Sequence, residues 1–502
     1  MCSQAVPVST SVLFRRHALC LAVVAVCLLL TASSHAQVSL TQLSTDTFTD
    51  VASQHDTEVE PGTFSWGSTI VSAFQVARIY GGGGADIGWA TSTNGGTTWT
   101  NGYLPGITVY EGNGTNSAAS DAAVAYDAMH GVWLISTLPI GNNTSVAVSR
   151  STDGVTWGNP ITVTGSSAAD KNWIVCDNSA TSPYYGHCYS EWDNTNNGDE
   201  IQMSTSTDGG LTWGAALATA GQDYGIGGVP LVTPKGKVIV PILGFNGYVI
   251  AFTSTNGGQS WTKAVNVATY NSHAEAGTIR SAGLVSSAID AAGKVYVFWP
   301  DCRFRTNCAE NDIVYSKSTS GTTWTAVQRV PIDPTTSTVD HFITGAAIAP
   351  GTKGSTAHVA LVYYYYPISN CGNTCQLYVG FIQSSTAGAK WTAAETLAGP
   401  MTLTWLPNTF SGTMVADYIS VGFGGGKAFP VFAVAQAKTG QIFHEAIYTT
   451  ASGQAPSTAE MEPMTALGDV PVPNAHSDHG SMEYLDLDHQ IPVSGKRPPE
   501  RD

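Results

Sequence analysis

Ser206-Thr207-Asp208-Gly209-Gly210-Leu211-Thr212-Trp213 is the phrase on which this sequence turns, because the chain repeats it. Ser92-Thr93-Asn94-Gly95-Gly96-Thr97-Thr98-Trp99 and Ser254-Thr255-Asn256-Gly257-Gly258-Gln259-Ser260-Trp261 keep its full length. Ser151–Trp157 and Ser318–Trp324 lack one residue, and Ser384–Trp391 is a worn copy. The third position runs Asn94, Asp153, Asp208, Asn256, Ser320 and Thr386, so a side-chain oxygen always stands there. Such an oxygen accepts turn N–H groups and fixes the loop. The glycines supply positive φ or a close backbone approach. Each tryptophan is one large apolar anchor per repeat.

Working outward, the tryptophans Trp99, Trp157, Trp213, Trp261, Trp324 and Trp391 are 58, 56, 48, 63 and 67 residues apart. That period holds four short strands and their turns. Strand-like runs precede the phrases: 122–127, 131–137 and 144–150 before the second, 229–233, 238–243 and 248–253 before the fourth, 283–289, 294–299 and 312–317 before the fifth. The phrase then joins the third strand of a unit to the fourth. Amphipathic helical periodicity is almost absent. After the sixth phrase, 414–421, 428–434 and 441–449 read as three more strands. Their fourth partner is expected from the start of the mature chain, near 38–43, which covers an open edge.

The phrases resemble the Asp box, or BNR repeat, of the sialidase-like β-propellers, S-x-D-x-G-x-T-W. Ser206, Asp208, Gly210, Thr212 and Trp213 match it in full. The resemblance implies an all-β chain: a single β-propeller of four-stranded antiparallel blades, seven by the strand count, with six as the alternative. It implies a structural turn on the outer part of each blade, away from any catalytic centre. It leaves function open, since hydrolases, lyases, glycan binders and non-enzymatic propellers all carry the box.

The ends of the chain read differently. Leu13-Phe14-Arg15-Arg16-His17, an apolar run from Ala18 to Leu30 and Ser34-His35-Ala36 make a secretory signal peptide over residues 1–36. The propeller is expected over 37–450, secreted to an extracellular or periplasmic space and with no membrane span after cleavage. Removing Arg15 and Arg16 leaves 19 basic against 37 acidic residues, a formal charge of −18. An acidic chain with few charges excludes nucleic acid as a partner, because phosphate neutralisation needs clustered Lys and Arg. Residues 451–502 carry nine acids and three bases among Pro, Ser and Ala, and read as a disordered acidic tail. Six cysteines survive cleavage, in three close pairs: Cys176 and Cys188, Cys302 and Cys308, Cys371 and Cys375. Export makes these local disulfides rather than metal ligands. No metal or cofactor is expected, and the chain reads as a monomer.

The chemistry is sought where the opening strands of the units converge. Polar groups recur there: Glu58 after His55-Asp56-Thr57, Ser120-Asp121, Asp170-Lys171-Asn172-Trp173, Asp223-Tyr224, Arg280-Ser281, Asp340-His341-Phe342 and Asp417-Tyr418. Lys171 and His341 are candidate ligand-binding residues. By the resemblance, Arg78, Arg280 and Arg303 supply an arginine clamp for a carboxylate. Tyr418 is then the nucleophile, Glu58 or Glu191 its base and Asp121 the acid. The family's F/Y-R-I-P motif is missing; Ala77-Arg78-Ile79-Tyr80 keeps only Arg-Ile.

Three classes of function follow. A glycoside hydrolase or lyase would use paired acids among Glu58, Asp121, Asp170 and Asp417. A glycan-binding or adhesion propeller would stack sugars on Trp173, Tyr184, Tyr185, Trp192 or Tyr363 to Tyr366. A scaffold would present a face to a protein partner. For Arg280, the expected partner is either an acid of another unit, such as Asp340 or Asp417, or an anionic sugar.

Overall fold

The computed structural model describes residues 38–457 and 459, apart from 142–144, 166–167 and 282. The expected signal peptide and nearly all of the expected tail lie outside these residues. Among the described residues there are strands, turns and short 3-10 turns, and no α-helix. Runs such as Val238–Gly244 and Val132–Ile140 are buried along their whole length, as apolar strands covered on both faces must be.

The strands form successive four-stranded antiparallel units. The first spans 58–103 and the second 118–164; one residue pair, Gly84 opposite Ala119, joins them into a larger sheet. The third spans 169–218 and the fifth 286–329. In the fourth, 225–269, the opening strand is broken into Gly225–Ile226 and Leu231–Val232. The sixth spans 340–402. The seventh uses Ser420–Gly424, Lys427–Ala435 and Glu445–Thr450, and takes its fourth strand, Leu40–Gln42, from the other end of the chain. That strand falls inside the stretch the sequence reserved for it. The last unit continues past residue 450: Ala428 N–H donates to Gln454 O at 2.9 Å, and the Gln383 amide to Ala455 O at 2.8 Å.

Each opening strand packs on the next, from Glu58–Trp66 through Ala118–Asp127, Ala169–Cys176, Leu231–Val232, Ser286–Ile289 and Asp340–Ile348 to Ser420–Gly424. Ser420–Gly424 packs back on Glu58–Trp66. One cavity of 680 Å³ touches all seven, through residues such as Thr63, Val124, Trp173, Leu231, Ala288 and Ala346.

The six repeated phrases fold alike. Asp208 Oδ1 accepts Leu211 N–H at 3.0 Å and Thr212 N–H at 2.9 Å, while Ser206 Oγ accepts Gly210 N–H at 2.9 Å. Asn94 holds Thr97 and Thr98, Asp153 holds Val155 and Thr156, and Asn256 holds Ser260 in the same way. Ser320 and Thr386 do so with a hydroxyl. Each phrase connects third strand to fourth. Its tryptophan packs on the core shared with the preceding unit: Trp157 beside Val71 and Trp89, Trp213 beside Leu134 and Val148, Trp261 beside Tyr189 and Met203, Trp324 beside Val249 and Val297, and Trp391 beside Tyr296 and Phe298. Trp99 of the first unit meets Phe429 of the seventh edge-on at 6.5 Å. The glycines seal the same contacts. A Cβ on Gly96, at φ 87, would sit 2.2 Å from the Phe429 ring. The anchors are not equal, however. Trp157, Trp261 and Trp391 are buried, whereas Trp99, Trp213 and Trp324 are only partly buried. The three cysteine pairs form the local disulfides Cys176–Cys188, Cys302–Cys308 and Cys371–Cys375.

Candidate functional site

A repeated backbone fault positions the polar groups. In the first unit the register slips between Val59 and Gly62, with Glu60 at φ 59. The second slips between Ser120 and Ala123, with Asp121 at φ 47, and the third between Asp170 and Trp173, with Lys171 at φ 46. The sixth slips at Ile343, φ 44. A bulge adds one residue, bends the strand and re-aims its side chain. A non-glycine residue in this region costs roughly 1–2 kcal/mol, so each bulge needs support from its surroundings.

Three of these residues converge with Arg280 and Asp417. Lys171 Nζ lies 3.0 Å from Asp417 Oδ2, 3.4 Å from Asp121 Oδ1 and 4.0 Å from Asp170 Oδ1. Arg280 grips Asp417 with two nitrogens, Nε to Oδ1 at 2.9 Å and Nη2 to Oδ2. Glu60 Oε1 accepts Asp417 N–H at 3.2 Å, and Oε2 accepts the Gln75 amide, which also donates to Ser120 Oγ at 3.0 Å. Arg78 joins through Gln75 Oε1 at 3.2 Å and Gly83 O at 2.6 Å. Every member is buried. Burial raises the Glu60 pKa well above the ordinary carboxylate range, and the Asp417 carboxylate raises it further. Tyr418 abuts the group. Burial, then the charges of Glu60 and Asp121, push its phenol well up, so it is a hydrogen-bond donor rather than a phenolate. Its ring meets Trp173 edge-on at 5.4 Å.

Lys171, Asn172 and Tyr418 are where this group reaches the 680 Å³ cavity. From there the cavity runs along the later parts of the opening strands, past Trp173, Leu231 and Val285 to Trp66 and Pro350.

The structure thus brings together Asp121, Asp170, Lys171, Arg280, Asp417, Tyr418 and, through Gln75, Arg78. It separates the others. Arg303 folds back on Asp301 at 2.8 and 2.7 Å, within the Cys302–Cys308 loop. The three arginines of the expected clamp are therefore held by three different sets of protein acceptors. His341 is buried on Asn311 O at 3.1 Å, and burial holds its imidazole below the ordinary pKa. Its neighbours Asp312 and Asp333 are gripped by Arg305 and Arg329. Glu191 is buried in the third unit. Of the aromatics, Trp192, Tyr363, Tyr364 and Tyr366 are core, and Trp173 alone of those named lines the cavity. Glu60 is the member that sequence reasoning missed. Its signal was present: Pro61-Gly62 inside a strand marks a bulge.

Glu58 lies at the seam instead. Ser44 Oγ donates to it at 2.9 Å and also accepts Ile447 N–H at 2.8 Å. Glu445 is fully buried, and neither of its carboxylate oxygens has a hydrogen-bond partner among the described residues. Burial raises the pKa of both acids well above the ordinary value, and Glu58 pushes Glu445 further. Asp46 and Asp56 add negative charge; His55 and His444 face those two at 3.4 and 3.3 Å. A raised folded-state pKa stabilises the fold below the unfolded value, near 4.3, and that stability is lost as pH rises through the folded value. Glu445→Gln mimics the protonated form. Its melting temperature is expected to exceed that of the parent at about pH 8 and to match it at about pH 4, as read by thermal melts. Equal melting temperatures at the higher pH would refute the buried acid pair.

No family model matches the chain, and no curated protein does. Among solved structures, a protein of unknown function from Dyadobacter fermentans is 15% identical over 70% of this chain and 98% of its own, with a TM-score of 0.44. The NanB sialidase from Streptococcus pneumoniae is 14% identical over 84% and 71%, with a TM-score of 0.41. AofleA from Arthrobotrys oligospora is 12% identical over 70% and 89%, with a TM-score of 0.43. At these scores the functional reading rests on the strands and side chains described above.

Proposed function

We propose that the chain is a secreted, seven-bladed β-propeller that holds a glycan on its central axis, at the Lys171–Asn172–Tyr418 end of the cavity. The seven units, the closed circuit of opening strands and the N-terminal strand in the last unit support the propeller. The three disulfides support export. One observation carries the binding reading: a cavity shared by all seven units ends at an amide, an ammonium and a phenol beside the indole of Trp173. Aromatic faces stack on sugar rings, and convergent polar groups select the hydroxyls. Holding is favoured over cleaving because Asp121 and Asp417 are committed to Lys171 and Arg280, behind the cavity wall.

Turnover as a glycoside hydrolase or lyase is the second reading, and a different group favours it. Glu275 is half-buried, and desolvation, then Asp340, pushes its carboxyl up to about 8, while burial raises Asp340 to about 6 beside His273. An acid and a base straddling neutral pH suit proton transfer. A panel of neutral and anionic glycans, scored for binding and for product release, decides between the two. Binding without product, weakened by Asn172→Ala and Trp173→Ala, is expected. Product release that disappears in Glu275→Gln would replace holding by turnover.

A further inference from the structure

The cavity is more apolar than a sugar alone requires. Val175, Leu231, Val285, Ile289, Ile348 and Phe423 wall it beyond the polar end. Hydroxyl groups placed along such a wall would lose their water without compensation. Left to water, the wall forfeits the gain that apolar burial gives. Its 680 Å³ lies within the range of small-molecule sites, about 300–1,000 Å³. Two residues that line the cavity also hold oxygens without a hydrogen-bond partner, buried just behind its surface. Asn172 is buried and its amide donates to Ser136 Oγ at 2.7 Å, while its Oδ1 has no hydrogen-bond partner among the described residues. Ser287 Oγ, on another opening strand at the same cavity, has none either. Lys171 already lies among Asp121, Asp170 and Asp417, so this end favours a neutral donor over an anion.

We infer that the cavity takes the apolar aglycone of a neutral glycoside, an alkyl or aryl group lying along the wall with its sugar at Asn172 and Tyr418. The sugar half rests on the proposed function; the apolar half rests on the wall itself.

The test uses the full secreted chain and a neutral naphthylamine dye that fluoresces in apolar surroundings. Ala347 lines the cavity and is half-buried, so Ala347→Phe fills the space from the wall; Val175→Phe does so from the opposite sequence region. The parent is expected to bind the dye. Ala347→Phe is expected to bind it at least about tenfold more weakly, with an unchanged melting temperature. Octyl and phenyl glycosides should displace the dye, and the free sugars should not. Displacement by a long-chain alcohol but by no glycoside keeps the apolar site and removes the glycan reading. A folded parent that binds no dye, or phenylalanine variants that both bind the dye as tightly as the parent, overturns the inference.

Discussion

Asp417→Ala is expected to destabilise the chain by about 3–5 kcal/mol, because it removes the anion gripped by two buried cations. Arg280 meets Asp417 through two nitrogens, and Lys171 Nζ lies 3.0 Å from the same carboxylate. Asp121, 3.4 Å from Lys171, is left to face that ammonium. A buried charge without its partner keeps its desolvation cost and loses its compensation. Asp417→Asn keeps the shape and some acceptor capacity, and should cost less. Arg280→Met combined with Asp417→Leu should recover much of the loss, since an apolar pair carries no desolvation cost. Urea unfolding of the four proteins measures this. A loss under about 1 kcal/mol for Asp417→Ala would show that the bridge contributes little. A further variant, Arg280→Ala, addresses the other partner expected for Arg280. Binding of a sialate or uronate that falls in Arg280→Ala, with the melting temperature intact, would restore a ligand role to the guanidinium.

The fold was legible because it is written several times. Six phrases at one period, each ending in Trp, specify six turns joining third strands to fourth. The strand of 40–42 was legible for a different reason: three strands after the last box left one edge to cover. The site was only partly legible. Asp121, Lys171 and Asp417 stood out as polar residues opening strands, and the structure gathers them. Glu60 did not, because its place depends on a bulge that turns it against the strand's alternation. Glu58, two residues away, took its place in the reading but faces the seam. Arg303 looked like a clamp residue from its type alone; what places it is the return of a short disulfide loop onto Asp301. Burial of Trp192 or Tyr364 likewise depends on which neighbouring unit covers them, and that is long-range information.

Trp261→Ala is expected to cost about 3–5 kcal/mol, within the usual range for emptying a buried aromatic site. The ring is 3% exposed and meets Phe252 of its own unit at 5.7 Å and Tyr189 of the preceding unit at 6.1 Å, both edge-on. Its removal opens a void between the two units, beside Met203, Val238 and Val240. Trp213→Ala should cost less, because that ring is already partly exposed and the void can flood. Trp261→Phe should cost less again: it retains edge contacts and removes an indole N–H that has no hydrogen-bond acceptor among the described residues. The box joins third strand to fourth and none of its residues lines the cavity, so dye binding by the surviving folded protein should not change. Urea midpoints for the three variants, read beside dye titrations, test both halves of the expectation. Equal losses for Trp261→Ala and Trp213→Ala would mean that burial does not set the strength of these anchors. Lost dye binding in folded Trp261→Ala would mean that the repeated turns hold the cavity in shape, so that the turn motif and the site could not be treated as separate parts of the molecule.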